Sequence, residues 1–583
     1  AKTESYDQVT IIKGSQSVVY GPGGSGGTVL FERETPRFLS DERMRAAFSA
    51  GYQGNSDTKE SSIDLATGTQ NAFVRFIGNY TDASNYEDGD GNKIRSAFRS
   101  KGGTAIIGIT PDEETRVELS FDATRDDDVL FAGAGMDAPY SDNDTVRFKF
   151  KRDAEIGPFS AMQAELYSSK IDHLMDNYSL RTLTAAMKMA TVTSSDTYGG
   201  RWSGDITTNA GSKWTIGVDH QNNNREALRY RGPAAGGDPT TLQSVMWPDV
   251  DIAQSGIFAE VSHPLSASNS IKTGIRYDHV ATSIRDENVA ASVTPVITRS
   301  PNQLFTLSYG DTAKDEDEHN IGGFFTFEHR LNQETALFST ISRSVRTADA
   351  TERYLAGDNG AASNRWVGNP NLDPEKHHQI EFGINMNKSA WDLSSSIFYN
   401  RVHDFILRDR AHGQDGILLS DNATIYRNVE AALYGLEMDA GVRWSSNWSS
   451  RFTLAYVHAQ NKTDDRPIAQ TPPLDLSMNL EYNRTDWYAG AKVIGQSKQN
   501  RVEDDVTTDS GLDADQTPGW ATLNLYGGYD IGKNASVKVG IDNLFDRTYA
   551  YHVNRANADP FNPDAIQVNE PGRSVWVRFN ASF

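Results

Sequence analysis

The chain has 583 residues, no cysteine and a formal net charge of -22. Its mean hydropathy is -0.56, and no apolar run approaches the roughly 18 residues that a membrane helix requires. Disulfides, thiolate chemistry and helical membrane anchors are therefore excluded within these residues, and the acidic balance argues against a nucleic-acid binder, which needs a net positive surface. A membrane β-barrel is not excluded, because only alternate strand residues face lipid while lumen and outer loops are polar. The 23 Tyr, 25 Phe and 10 Trp suit strands and interfacial girdles, and the 48 Gly suit many turns. The negative charge reads as solvated acidic loops, with a cation-attracting field over an outer mouth as the alternative. Ala1 opens a polar segment with no charged n-region or apolar h-region, so a processed chain or a fragment of a longer one is expected.

The first 37 residues stand apart. Residues 6–33 (YDQVTIIKGSQSVVYGPGGSGGTVLFER) combine a short apolar strand, a glycine-rich turn at 21–27 and a second strand at 28–31. A phosphate loop is a poor match for these glycines, since no Gly-Lys-Ser/Thr follows and a strand, not a helix, comes next.

From about Phe38 onward the chain reads as hairpins joined alternately by short turns and long polar loops. Residues 145–151 pair with 160–175 across Gly157 and Pro158, 474–482 with 487–494, and 520–529 with 535–543, with further strands at 390–401 and 448–458. Long connections at 126–143, 224–251, 286–318, 346–374, 408–427 and 547–572 read as extracellular loops, because periplasmic turns are the short ones. No helical heptad or low-complexity tract interrupts the pattern. The last segment, GRSVWVRFNASF, alternates Val575, Val577, Phe579, Ala581 and Phe583 with Trp576, Arg578, Asn580 and Ser582, the period of a barrel-closing strand. The expected fold is all-β, a transmembrane antiparallel barrel of about 22 strands, a width at which the lumen is plugged.

Four stretches together resemble the TonB-dependent outer-membrane receptors. Residues 6–33 resemble the end of the plug domain, with its Lys-Gly turn, Tyr-Gly and Gly-Gly-Thr. Residues 367–383 (VGNPNLDPEKHHQIEFG) resemble the Asn-Pro-x-Leu-x-Pro-Glu strand opening, residues 542–549 (DNLFDRTY) the Asn-Leu-Phe-Asp motif, and the terminal strand matches in form. The resemblance implies a plug remnant at 1–37, a barrel at 38–583 and the outer membrane of a Gram-negative bacterium. It further implies contact with outer-membrane lipid and lipopolysaccharide, and coupling to the TonB-ExbB-ExbD complex through an amino-terminal region expected before Ala1. It implies a transporter and not an enzyme.

The candidate chemistry lies in residues 171–176 (IDHLMD). His173 and Met175 share a strand face with Gln163, Glu165, Tyr167 and Ser169, opposite Met162, Ala164 and Leu166, so the pair points into the lumen near the extracellular end. Imidazole plus thioether suits copper, Cu(I) above all, better than iron(III) or magnesium. Here the chain resembles the copper-receptor branch of the family, the OprC/NosA type, in which a barrel His-x-Met pair meets a Cys-x-x-x-Met motif on the plug. That plug motif has no counterpart here and is expected upstream of Ala1. Met136, Met187 and Met189 fall where an approach track for the metal is expected, with ordinary packing as the alternative.

Other clusters are weaker. Asp126 to Asp128 and Asp315 to Glu318 lack an ordered calcium spacing, and His377 and His378 point to opposite faces of any strand. The expected function is active copper uptake, with copper ion as cargo and not catalytic cofactor. The alternatives are a receptor for an iron-siderophore or other metal chelate, and a passive pore, which the plug-like glycine segment opposes.

Overall fold

The computed structural model describes residues 5–14, 16–22, 26–558 and 566–583. Among these, 22 antiparallel strands form one closed barrel. Closure is made by the chain's two ends: Met44–Gln53 pairs with Ser574–Ser582, from Ala47 opposite Ser582 to Gln53 opposite Trp576. In the terminal strand Val575, Val577 and Phe579 are exposed on the outer face, whereas Arg578 turns inward to bond Glu60. Such closure leaves no free strand edge, the condition for a sheet to cross hydrocarbon.

Outward aromatics mark the two membrane boundaries. Tyr52, Tyr198, Tyr277, Tyr399 and Tyr434 are exposed toward the long-loop side, and Trp214, Trp448, Trp487 and Tyr529 toward the short-turn side. Between Trp214 and Asn222, the partner of Tyr198, the strand covers about 26 Å. At the usual barrel tilt this approaches the roughly 25 Å apolar band of such proteins.

The hairpins expected from sequence are present, as Asp137–Arg152 with Ala161–Asp176, Asp475–Asn483 with Trp487–Gln496, and Trp520–Ile531 with Ala535–Asp542. Three of the expected long loops are shorter. The strands Thr115–Val129 and Asp137–Arg152 leave only residues 130–136 between them, Lys213–Pro233 and Thr241–Pro264 leave 234–240, and Trp391–Arg410 and Thr424–Arg443 leave 411–423. Above the membrane no strand face meets lipid, and residues such as Ala227, Met246, Val250 and Ile425 pack on the loops, so the ladder continues although the lipid-facing alternation has ended.

The longest loops carry their own small core. Helix Pro301–Tyr309 starts at a capping box, Ser300 with Gln303, and ends at Gly310 with φ 79. Its Leu304, Phe305 and Tyr309 pack with Tyr354, Val367, Ile417 and Ile425.

The described residues of the stretch 5–37 lie within the barrel. Strands Gln8–Lys13 and Gly27–Glu32 form a separate two-stranded sheet that is tied to opposite walls. Asp7 bonds Arg75 at 2.9 Å, Ser17 donates to Glu260 at 2.9 Å, and Lys13 meets Glu437 at 3.3 Å. Val18 and Val19 pack on Phe258 and Phe324. Of the glycine-rich run, residues 23–25 lie outside the described residues.

Candidate functional site

Strand Ala161–Asp176 carries the His-x-Met pair. Leu166 is exposed on the outer face, while Glu165 meets Arg147 at 2.9 Å and Gln163, Glu165 and Tyr167 line an inner cavity with Tyr20, Gly21 and Arg33. His173 and Met175 have the phase of Glu165 and so stand on the lumen side. Ser168 is the partner of Tyr198, which places His173 five residues beyond the outer girdle, above the membrane.

The adjoining strand, Met187–Thr207, brings the second group. Its Tyr198 faces out, and its Arg201 faces in, donating to the Val19 carbonyl at 3.1 Å. Met187 and Met189 share the Arg201 phase. Met175 stands opposite Thr191, so Met189 is its diagonal neighbour on the same face, a separation of about 7 to 8 Å between backbones. Asn177 fixes this register: it accepts from the Met189 amide at 2.8 Å and donates to the Met187 carbonyl at 3.1 Å. Met187 is the exposed member at the strand's outer end. Met136 comes from the other side, directly before Asp137, which pairs with Asp176. The structure thus gathers His173, Met175 and Met189 on one inner face, with Met187 further out and Met136 in the flanking loop.

His173 Nε2 is buried with no hydrogen-bond partner, and burial lowers the affinity of the ring for its proton. A neutral imidazole with an unused nitrogen is the form that ligates metals. Beside it stand thioethers, the soft partners that favour copper. Among the described residues no group of three or more His, Cys, Asp or Glu is arranged to hold a metal. The acidic runs are paired instead, Asp128 with Arg99 at 3.4 Å and Glu318 with Arg353 at 2.6 Å. His377 turns in to Glu375, while His378 meets His403 edge to face.

Sequence reasoning missed two groups near the site. Asp137 is fully buried between Arg95 and Arg181, joining loops 130–136 and 177–186. Arg229, on the strand after Met189, stands opposite Thr191 and donates to its hydroxyl at 3.3 Å. Neither has a local signature; the partner of Arg229 is set by barrel register, and those of Asp137 come from two loops, through Arg95 and Arg181.

A family described as "TonB dependent receptor-like, beta-barrel" matches residues 40–544. The chain belongs to this family. It is an outer-membrane receptor of Gram-negative bacteria and not an enzyme. The TonB-dependent heme receptor A of Haemophilus influenzae is 21% identical over 93% of this chain and 80% of its own length. The ferric enterobactin receptor of Pseudomonas aeruginosa is 27% identical over 56% of this chain and 42% of its own. Among solved structures, the copper transporter OprC is similar with a TM-score of 0.87 and 29% identity, covering 100% of this chain and 86% of that one.

Proposed function

We propose that this receptor takes up copper across the outer membrane. One observation carries the reading: His173, Met175 and Met189 share one lumen-facing patch above the membrane, with the imidazole Nε2 buried and unpartnered. The similarity to the copper transporter OprC supports it. In this reading residues 1–37 are the last part of a plug, and the sheet Gln8–Lys13 with Gly27–Glu32 is its surface toward the barrel wall. Copper passes from Met187 and Met136 at the rim to Met189, Met175 and His173, and the plug supplies the remaining ligands. The TonB-ExbB-ExbD complex supplies the energy that displaces the plug and lets the metal pass.

The protein's own work is selection. Soft thioethers discriminate against iron(III) and magnesium, while burial favours the unprotonated ring of His173. No covalent step is required. The test is elemental analysis of the full-length receptor exposed to equal copper, iron, zinc and nickel. The expected result is about one copper per chain, set by one such ligand group, and its loss in Met175→Ala. No retained metal overturns the reading and leaves that of a receptor for heme, siderophore or another chelate, which the heme and enterobactin receptors among its relatives favour.

A further inference from the structure

Met175, Thr191, Arg229 and Ser244 form one row across four adjacent strands, each paired directly with the next. Met175 and Arg229 are therefore two strand spacings apart, about 9.5 Å between backbones. Thr191, between them, is buried and accepts a hydrogen bond from Arg229 Nε at 3.3 Å. That bond lays the guanidinium over Thr191, on the side of Met175. Among the described residues it is the only hydrogen bond of Arg229, and none of their carboxylates stands within ion-pair distance. Burial alone perturbs the group, lowering its proton affinity, with no acid close enough to oppose the shift.

The neighbours on the same strand face repeat the pattern. Arg225 stacks over the Trp247 ring at 5.6 Å, and Arg231 donates to the Ser292 carbonyl at 3.0 Å. In a chain with a net charge of -22, where most arginines sit against Asp or Glu, three inward arginines with no carboxylate partner among the described residues make a cationic strip beside a thioether patch. A desolvated guanidinium with free N–H groups calls for an anion, and its planar fork matches a carboxylate. The same charge disfavours a bare cation next to Met175.

We propose that Arg229, with Thr191, binds the carboxylate of a small anionic ligand that accompanies the metal, so that the cargo is a copper carboxylate chelate of amino-acid type and not the bare ion. The metal faces His173 and Met175, and the chelate's carboxylate faces Arg229. This rests on the copper reading above.

Binding is measured by calorimetry on the full-length receptor and on Arg229→Gln, Arg229→Lys and His173→Ala. The probes are copper in a non-coordinating buffer and the copper–glycinate complex. The wild type is expected to prefer the glycinate complex. In Arg229→Gln the affinity for that complex falls about tenfold or more, as a lost charge-assisted bond requires, and the affinity for bare copper rises. Arg229→Lys restores part of the preference, and His173→Ala weakens both probes. Equal binding of the glycinate complex by wild type and Arg229→Gln overturns the assignment of Arg229 while leaving the metal site standing. Failure of the wild type to bind copper in either form overturns the copper reading and this proposal together.

Discussion

Asp137 receives both arms of the Arg181 guanidinium, Nε at 2.8 Å and Nη2 at 2.6 Å, while a second arginine, Arg95, bonds the same carboxylate. Asp137 is fully buried and Arg181 nearly so, and Arg181 also donates to the Ala134 carbonyl at 2.8 Å. One carboxylate thus holds loop 130–136, which carries Met136, against loop 177–186.

Asp137→Ala removes the carboxylate that the buried Arg181 and the neighbouring Arg95 share. Breaking a buried ion pair from one side costs about 3 to 5 kcal/mol. The expected outcome is faster proteolytic cleavage in loops 130–136 and 177–186 with an unchanged barrel signal by circular dichroism. Cleavage at the wild-type rate would show that the clamp is dispensable.

Copper affinity is expected to fall in a graded order along the ligand patch. His173→Ala and Met175→Ala each remove a donor at its centre, and Met189→Ala removes the diagonal neighbour. Met187→Ala, at the exposed rim, is expected to slow copper entry more than it weakens retention. Equilibrium competition against a copper chelator separates the first three, and stopped-flow uptake reports on the fourth. An equal effect at all four positions contradicts the arrangement.

Glu375 and Arg346 give the acid side of the pH profile. Arg346 holds Glu375 at 2.8 Å and Glu352 at the same distance, tying the base of loop 347–374 to the strand. The Glu375 carboxyl is buried, which by itself raises its pKa, but bonds from Arg346, His377 and the Ile406 amide outweigh this and hold it at about 2. Because the folded value lies below the unfolded one, the stabilisation is full above pH 4.5 and is lost as pH falls toward 2. The shift corresponds to about 3 kcal/mol. Glu375→Gln is expected to flatten acid unfolding of the loop, followed by hydrogen exchange at residues 347–374.

Glu503 works in the opposite direction. It is 3% exposed in loop 497–519, and burial pushes its pKa up to about 7 although Arg466 lies at 2.7 Å. Arg466 is shared with Asp409 at 2.5 Å, which dilutes its hold on Glu503. The protonated form is favoured in the fold, so stability is full below pH 4.5 and declines as pH rises through about 7. Glu503→Gln is expected to remove that decline, seen as a pH-independent protease sensitivity of the loop between pH 5 and 8. A slope unchanged from wild type contradicts the assignment.

Much of this was legible in the sequence where the physics is local. His173 and Met175 are two residues apart on one strand, so a period of two placed both on the lumen face. The terminal strand announced its lipid face through Val575, Val577 and Phe579. The outer extensions of Lys213–Pro233 and Thr241–Pro264 did not read as strands, because above the membrane no face meets lipid and burial is set by loops packed on them, as at Ala227 and Met246, so the apolar alternation is lost. Arg229 and Thr191 acquire their roles only through register between neighbouring strands, and Asp137 only where loops distant in sequence meet, which no single-strand pattern encodes. Helix Pro301–Tyr309 did carry a local start signal, Ser300 with Pro301 and Gln303, inside a segment otherwise read as loop.

The lipid face of the closing strand gives the last prediction. Phe579 lies midway along Ser574–Ser582, exposed outward, with Ala50 on one side and Val537 on the other, between the girdle residues Tyr52 and Tyr529. An arginine there must be held in hydrocarbon, at a cost of about 2 to 4 kcal/mol near the bilayer midplane. Asn580, the next residue, faces the lumen beside Ser49 and Ser536, where a charge remains hydrated. Phe579→Arg is therefore expected to lower the urea midpoint of folding in lipid vesicles, whereas Asn580→Arg shifts it little. If Asn580→Arg is instead the more destabilised variant, the inward and outward faces of the strand have been exchanged. The seam between Met44–Gln53 and Ser574–Ser582 would then need a register one residue different, because a single slip moves every side chain of the strand to the other face.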